Sequence, residues 1–217
     1  MIETATGVVL RTRPLTETSL IVQWLTPTLG RIATVAKGAR RPKSPFRGKI
    51  DLFYRADFSF SRSRRSELHT LSEVSLHETH AALRREFGYL RQASYCAALL
   101  EQTTETETPL PGLFELIMGM LAYLPARPPD AQTVLAFELK LLEALGLSPV
   151  LEESKLTPGT RLLAKWLTEK DWPGTGHLRS SREQVVELRQ FLHGFLIFHL
   201  GKIPKGRAGA LESIHPQ

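Results

Sequence analysis

Residues 52–61 read LFYRADFSFS, and this stretch decides the fold class of the N-terminal part of the chain. Apolar side chains at Leu52, Tyr54, Ala56, Phe58 and Phe60 alternate with those of residues 53, 55, 57, 59 and 61. Alternation with a period of two over this length is typical of a strand that buries one face. The stretch therefore predicts a half-buried β-strand.

Four more short apolar runs lie around this strand, at residues 6–10, 20–25, 30–35 and 67–74. Segments rich in Gly, Pro and Ser separate them, which favours turns between short strands. Together the runs predict a small barrel of five strands, and five is the strand number of the OB-fold.

The apolar pattern becomes helical from about residue 76. Residues 75–78, SLHE, can cap a helix whose apolar face then includes Leu83, Phe87 and Leu90. Further helices are predicted at residues 113–124, at 131–145 with Gly146 as C-cap, at 161–168, and at 182–200 with Ser181 as N-cap. We therefore predict an α+β chain, with an OB-fold over residues 1–80 and an α-helical domain over residues 81–217.

Cysteine content and hydropathy narrow the class of protein. Cys96 is the only cysteine, which excludes an intramolecular disulfide and a cysteine-rich zinc module. No stretch approaches the roughly 18 apolar residues of a membrane helix. The first residues lack the pattern of a secretory signal. We expect a cytoplasmic protein without a membrane partner.

Positive charge is concentrated in the first part of the sequence. Residues 1–80 contain 13 Lys and Arg against 7 Asp and Glu, whereas the remaining 137 residues contain 15 of each sign. Residues 31–65 alone hold 11 basic residues against Asp51 and Asp57. Such a field attracts polyanions, nucleic acid first and an anionic membrane surface second. A basic face that only keeps the protein soluble is the alternative.

The densest basic segment joins the third and fourth predicted strands. Residues 35–49 read VAKGARRPKSPFRGK, with six cations in the 13 positions from residue 37 to residue 49. Cations spaced along a loop can follow successive phosphates. Phe46 either stacks on an unpaired base or pins the loop to the barrel. No helix-turn-helix pattern is present, so binding without sequence specificity is predicted.

Six motifs in the first part of the sequence are LRTRPLTETSL at residues 10–20, LT at 25–26, GR at 30–31, VAKGAR at 35–40, KS at 43–44 and LF at 52–53. Together they resemble the N-terminal domain of the RecO family of bacterial DNA repair proteins. FELKLLEALG at residues 137–146 is similar to its central helix, and LGK at 200–202 through Arg207 to its C-terminal part. Residues 85–130 match little beyond helical character.

The resemblance implies a recombination mediator with an OB-fold and a helical domain. It implies binding of single- and double-stranded DNA, annealing of complementary strands, and an association with the nucleoid. It also implies two protein partners, RecR and the acidic C-terminal tail of the single-stranded-DNA-binding protein, with which recombinase is loaded at gaps.

The resemblance also assigns site residues. The DNA-binding set is Lys37, Arg40, Arg41, Lys43, Phe46, Arg47 and Lys49, flanked by Arg13 and Arg31. The set for the acidic tail is Lys140, Leu142 and Leu145 on the central helix. The family can place an arginine just before the FEL triplet, where this chain has Leu135 and Ala136. Many members carry a four-cysteine zinc module, but residues 148–180 contain no cysteine, so no zinc module is expected.

Motifs of catalysis are missing from the sequence. It has no Walker A loop, GxGxxG or GxSxG, so we predict neither an enzyme nor a cofactor. His77 and His80 have the spacing of metal ligands but no evident third ligand. Asp51 and Asp57 lack a third carboxylate, which disfavours a metal-dependent nuclease. The remaining alternative is a protein–protein adaptor of the repair machinery with only weak intrinsic DNA binding.

Overall fold

Five strands of the N-terminal segment close into a barrel in the computed structural model, which describes residues 2–212. The strands are β1 (Ile2–Pro14), β2 (Leu20–Thr26), β3 (Gly30–Ala36), β4 (Arg55–Ser61) and β5 (Leu68–Glu78). Their order around the barrel is β1-β2-β3-β5-β4, and all pairs are antiparallel except β3 with β5. The predicted five-stranded OB-fold is confirmed.

The barrel core is built from the alternating residues of the strands. Trp24 is fully buried, stacks on Phe58 with ring centroids 4.2 Å apart, and donates its indole N–H to Thr34 Oγ1 over 2.9 Å. Ala56 and Phe60 lie in the same cluster, as the period of two in β4 predicts. Burying one aromatic ring contributes about 1.5–3 kcal/mol, so the alternation is sufficient to fix which face of β4 is inside.

The start of the fourth strand was predicted wrongly. β4 begins at Arg55, because residues 51–54 form a turn in which the Tyr54 N–H donates to Asp51 O over 3.1 Å. Phe53 has a φ of 65°, is fully buried, and donates its N–H to Val9 O over 2.8 Å. Burial of this ring and its backbone bond to β1 outweigh the local alternation, which places Phe53 on the exposed face.

The predicted helix start at residues 75–78 is also wrong. These residues continue β5, where Leu76 pairs with Ala56 and Glu78 with Arg55 across β4. Ladder hydrogen bonds to β4 replace the local capping pattern. A 3-10 turn at Ala81–Arg85 follows, and the first α-helix begins only at Phe87, whose side chain is 73% exposed rather than on the apolar face.

The helical part contains α1 (Phe87–Thr103), α2 (Leu113–Tyr123), α3 (Ala131–Ala144), α4 (Pro158–Glu169), α5 (Trp172–Thr175), α6 (Arg182–Leu200) and α7 (Arg207–Ala210). Two predicted caps are confirmed. Gly146 has a φ of 70° after α3, and the next N–H, that of Leu147, donates to Leu142 O over 2.8 Å. Ser181 forms a capping box with Gln184 at the start of α6.

A buried polar network lies among α1, α3 and α7. Arg207 donates to both carboxylate oxygens of Glu138, over 2.7 Å and 2.8 Å, and the Tyr95 hydroxyl donates to Glu138 over 2.6 Å. Glu138 is fully buried, and burial together with this carboxylate raises the pKa of Tyr95. Cys96 next to it is fully buried, and burial raises the pKa of its thiol.

The chain divides into two compact units that are not continuous in sequence. The barrel unit runs to Ala81 and also contains Thr104–Phe114, whereas the helical unit contains Ala82–Thr103 and the described residues from Glu115 onward. Within the barrel unit, Thr106 bridges to Arg31 of β3 in parallel, and the Glu107 N–H donates to Arg31 O over 2.7 Å.

Candidate nucleic-acid interface

Residues 37–49, which we call the cap loop, form a chain of tight turns between β3 and β4. The N–H groups of Arg41, Ser44 and Arg47 each donate to the carbonyl three residues earlier, over 3.0 Å, 3.1 Å and 3.2 Å. Lys49 donates in the same way to Phe46 O over 3.0 Å. Because the loop satisfies much of its own backbone, it presents its side chains from a defined surface.

Two residues, Arg40 and Phe46, fasten the cap loop to the barrel. The Arg40 N–H donates to Thr18 O in the β1–β2 turn over 2.9 Å, and the Arg40 guanidinium donates to Thr16 O over 3.3 Å. The Phe46 ring is only 7% exposed and belongs to the barrel core. This burial supports the role that pins the loop, and stacking of Phe46 on a base stays a prediction.

The six cap-loop cations are exposed and have no acidic partner. Their side chains extend into solvent, and no ion pair involving them occurs among residues 2–212. Within the described range, Arg40 and Arg47 are the two of these cations whose side chains donate hydrogen bonds, to Thr16 O and Pro42 O. The cap loop therefore carries an uncompensated positive field, which is what contact with successive phosphates requires.

The two flanking arginines have different environments. Arg13 is exposed on β1, opposite Ile21, and leads into the turn that holds Arg40. Arg31 is half-buried, and it donates to Thr104 Oγ1 over 2.8 Å and to Thr104 O over 2.6 Å. The structure therefore brings Arg13 towards the cap loop, whereas it uses Arg31 to hold residues 104–107.

The turn between β4 and β5 adds basic residues that the sequence analysis did not assign. Arg62 is paired with Glu3 at 2.7 Å and with Glu107 at 2.6 Å, and the hydrogen bonds that Arg62 donates to Glu3 raise the pKa of its guanidinium. Arg64 and Arg65 are exposed, and in the described part of the chain neither forms an ion pair. OB-folds bind nucleic acid through this turn, so the run RSRR at residues 62–65 was the signal that was missed.

The residues expected to receive an acidic tail are largely engaged in packing. Lys140 Nζ donates to Thr168 O over 2.7 Å and to Lys170 O at the end of α4, and burial lowers its pKa. Leu142 is 1% exposed, whereas Leu145 is partly exposed. Lys140 thus caps the carboxyl end of α4, where a cation is favourable.

The residues considered as metal ligands have other partners. His77 Nε2 lies 2.7 Å from Asp57 Oδ2, and the buried His80 donates from Nδ1 to Phe53 O over 2.8 Å. From residue 2 to residue 212 no group of three or more His, Cys, Asp or Glu side chains is arranged to hold a metal ion. In that same range no helix is long and apolar enough to cross a membrane.

Comparison with known proteins gives the family. The family model "Recombination protein O N terminal" matches residues 1–80, and "Recombination protein O C terminal" matches residues 84–155. The chain is 35% identical over 143 residues to DNA repair protein RecO of Rhodopirellula baltica, which covers 66% of this chain and 53% of that protein. It is 35% identical over 147 residues to the protein of that name from Anaeromyxobacter sp. strain K, covering 68% of this chain and 58% of that protein.

A third relative matches over almost the whole sequence. DNA repair protein RecO of Halalkalibacterium halodurans is 29% identical over 230 residues, which covers 99% of this chain and 88% of that protein. The alignments with the first two relatives span little more than half of those proteins. Since the two family models together reach from the first strand of the barrel to the loop after α3, the chain belongs to the RecO family of DNA repair proteins.

Proposed function

We propose that the barrel unit binds single-stranded DNA through the cap loop and that the protein acts without catalysis. The observation that carries this proposal is the set of six exposed cations, which have no acidic partner among residues 2–212 and are held on an OB-fold by main-chain turns. Because the turns already order the loop, little conformational entropy is lost when a strand binds. Arg13 on β1 and Arg64 and Arg65 in the β4–β5 turn are further exposed cations of the barrel unit.

Contacts to phosphates, rather than to bases, explain several activities at once. Phosphate contacts do not depend on base pairing, so the surface also accepts double-stranded DNA. Two strands whose phosphates are partly neutralised repel each other less and therefore anneal faster. This mechanism requires no nucleotide hydrolysis, in line with the lack of a phosphate-binding loop motif in the sequence.

Family membership supports the role of a recombination mediator that works at the nucleoid. In this role the protein loads recombinase with RecR at gaps coated by the single-stranded-DNA-binding protein. For the acidic tail of that protein we propose Lys140, Leu142 and Leu145 as contacts. Since Lys140 Nζ already binds two carbonyls of α4 and the residue after it, a tail carboxylate has to compete with them.

The proposal is tested by titrating a fluorescent single-stranded oligonucleotide at several salt concentrations. The wild type is compared with the charge reversal Lys37→Glu, Arg40→Glu and Arg41→Glu. We expect tight binding that weakens steeply with salt in the wild type and collapses in the variant. Equal binding by both proteins, or annealing that needs ATP, would contradict the proposal.

An adaptor with weak DNA binding is the second candidate, and one observation favours it. α6 exposes Phe198 at 84% and Ile197 at 43%, and exposed apolar patches are typical of protein interfaces. If the adaptor role is the correct one, the charge reversal leaves pull-down of RecR unchanged, and the wild type binds the oligonucleotide no better than the variant.

A further inference from the structure

A cavity of about 410 Å³ lies beside the cap loop, within the barrel unit. One wall comes from the cap loop, with Pro45, Phe46 and Lys49. The other walls come from β1, β4 and β5, with Thr4, Phe58 and Val74 among their residues. Its volume falls at the lower end of the range for small-molecule sites and is large enough for one nucleoside.

The lining combines an apolar surface with a polar rim. Pro45 supplies an exposed apolar side chain, and Phe46, Phe58 and Val74 of the barrel core contribute the small part of their surface that is not buried. The hydroxyl-bearing residues around them are Thr4, Ser59, Ser72 and Ser75. A flat ring with apolar faces and hydrogen-bonding edges matches this combination, as a nucleobase does.

The charges of the cavity distinguish a base from a phosphate. Lys49 is its only cation, whereas Asp57 and Glu73 are both acidic. The Asp57 oxygens already accept from Thr6 over 2.6 Å and face His77 at 2.7 Å. Glu73 is exposed and forms no ion pair with any described residue, so its carboxylate is available to a ligand. Two carboxylates repel a phosphate and attract an amino group.

We propose that this cavity receives one unstacked base of a single strand whose phosphates run along the cap loop. The inference rests on the DNA binding proposed above and assigns a subsite to it. Lys49 connects the cap loop with the cavity, because it belongs to the cap loop and also lines the cavity. The strand backbone follows the cations, and the base turns into the apolar space next to them.

Glu73 gives the subsite a preference among bases. Cytosine offers an amino group at the position where thymine offers a carbonyl oxygen. A carboxylate accepts a hydrogen bond from the amino group of cytosine and repels the carbonyl oxygen of thymine. We therefore expect oligodeoxycytidine to bind about five- to tenfold more tightly than oligothymidine of the same length.

Two variants with matched controls test the subsite. Ser59→Phe fills the cavity from β4, and Ser61→Phe makes the same change two residues further along the strand, at a residue that does not line this cavity. Glu73→Gln removes the carboxylate charge, and Glu67→Gln removes one from the exposed β4–β5 turn. Affinities for both oligonucleotides are measured by fluorescence anisotropy.

For Ser59→Phe and Glu73→Gln we expect the affinities for oligodeoxycytidine and oligothymidine to be nearly equal. The controls Ser61→Phe and Glu67→Gln should keep the wild-type ratio of these two affinities. A wild-type ratio of one, together with unchanged binding by Ser59→Phe, would overturn the subsite while leaving DNA binding by the cap loop intact. The subsite would also be overturned if the controls Ser61→Phe and Glu67→Gln lost the preference for oligodeoxycytidine. If the wild type does not bind DNA at all, the proposed function itself fails.

A free nucleotide carries the same base as a DNA strand and is the alternative ligand for this cavity. Deoxycytidine monophosphate is therefore titrated into the wild type and into Ser59→Phe by calorimetry. Weak or undetectable binding supports insertion of a base from a strand. Binding as tight as that of the oligonucleotide, abolished by Ser59→Phe, would assign the cavity to a free nucleotide and overturn the strand inference.

Discussion

Removing cap-loop cations should change the salt dependence of DNA binding by a predictable amount. The triple substitution Lys37→Ala, Arg41→Ala and Lys43→Ala removes three exposed cations whose side chains form no hydrogen bond or ion pair with residues 2–212. The turns of the loop are formed by main-chain groups, so they remain in the variant.

The magnitude follows from the number of phosphate contacts. Each phosphate neutralised on a single strand contributes about −0.7 to the slope of log K against log salt. Six contacts give a slope of about −4, which is a loss of a few hundredfold in affinity between 50 and 200 mM salt. Three contacts give a slope of about −2 and a loss of roughly twentyfold over the same range.

The assay is an anisotropy titration of a labelled single strand over this range of salt. The control variant Lys155→Ala, Arg179→Ala and Lys202→Ala removes the same net charge from exposed positions of the helical part. Its slope should stay within about half a unit of the wild-type slope. The reasoning is refuted if the cap-loop variant keeps the wild-type slope, or if the control loses as much slope as the cap-loop variant.

Three other predictions concern stability. Phe46→Ala should lower the free energy of unfolding by about 3 kcal/mol in urea, because the ring lies in the barrel core; a ring that only stacks on DNA would leave stability unchanged. Arg207→Ala should cost about 3–5 kcal/mol by leaving the buried Glu138 carboxylate unpaired, and the double change Arg207→Leu with Glu138→Leu should cost less. The hydrogen bond from Arg62 lowers the pKa of Glu3 in the folded state. This carboxylate therefore stabilises the fold above its ordinary pKa, and the contribution is lost as the pH falls below that value and through the lowered pKa of the folded state. Glu3→Gln should therefore melt below the wild type at pH 7, and the difference should shrink towards pH 3.

The strand pattern could be predicted from sequence where packing and local alternation agree. In β4, Ala56, Phe58 and Phe60 alternate and are all buried. The same pattern fails at Phe53, since a residue with positive φ points its side chain away from the direction that alternation predicts. The pairing of β5 with β4 likewise extends through residues that have a good helix-capping sequence.

The candidate site likewise contains residues that are close together in sequence and contacts between residues that are far apart in sequence. The cap-loop cations are close together in sequence, so the sequence alone shows that they cluster, and their contact with DNA stays a prediction. The hydrogen bonds of Arg31 reach Thr104, which is 73 residues away, and no local pattern indicates that contact. Lys140 was expected to contact an acidic tail, but its partners lie at the end of α4, and the position of that helix depends on packing.

The full burial of Cys96 has a practical consequence for experiments with this chain. A thiol that is fully buried and whose pKa is raised reacts slowly with maleimides and other thiol reagents. A second cysteine introduced at an exposed position, such as Arg179→Cys in the helical part, can therefore carry a fluorophore without removal of the native residue. The native sequence thus already provides a nearly silent background for site-specific dyes, so encounters between this protein and single molecules of DNA can be recorded directly.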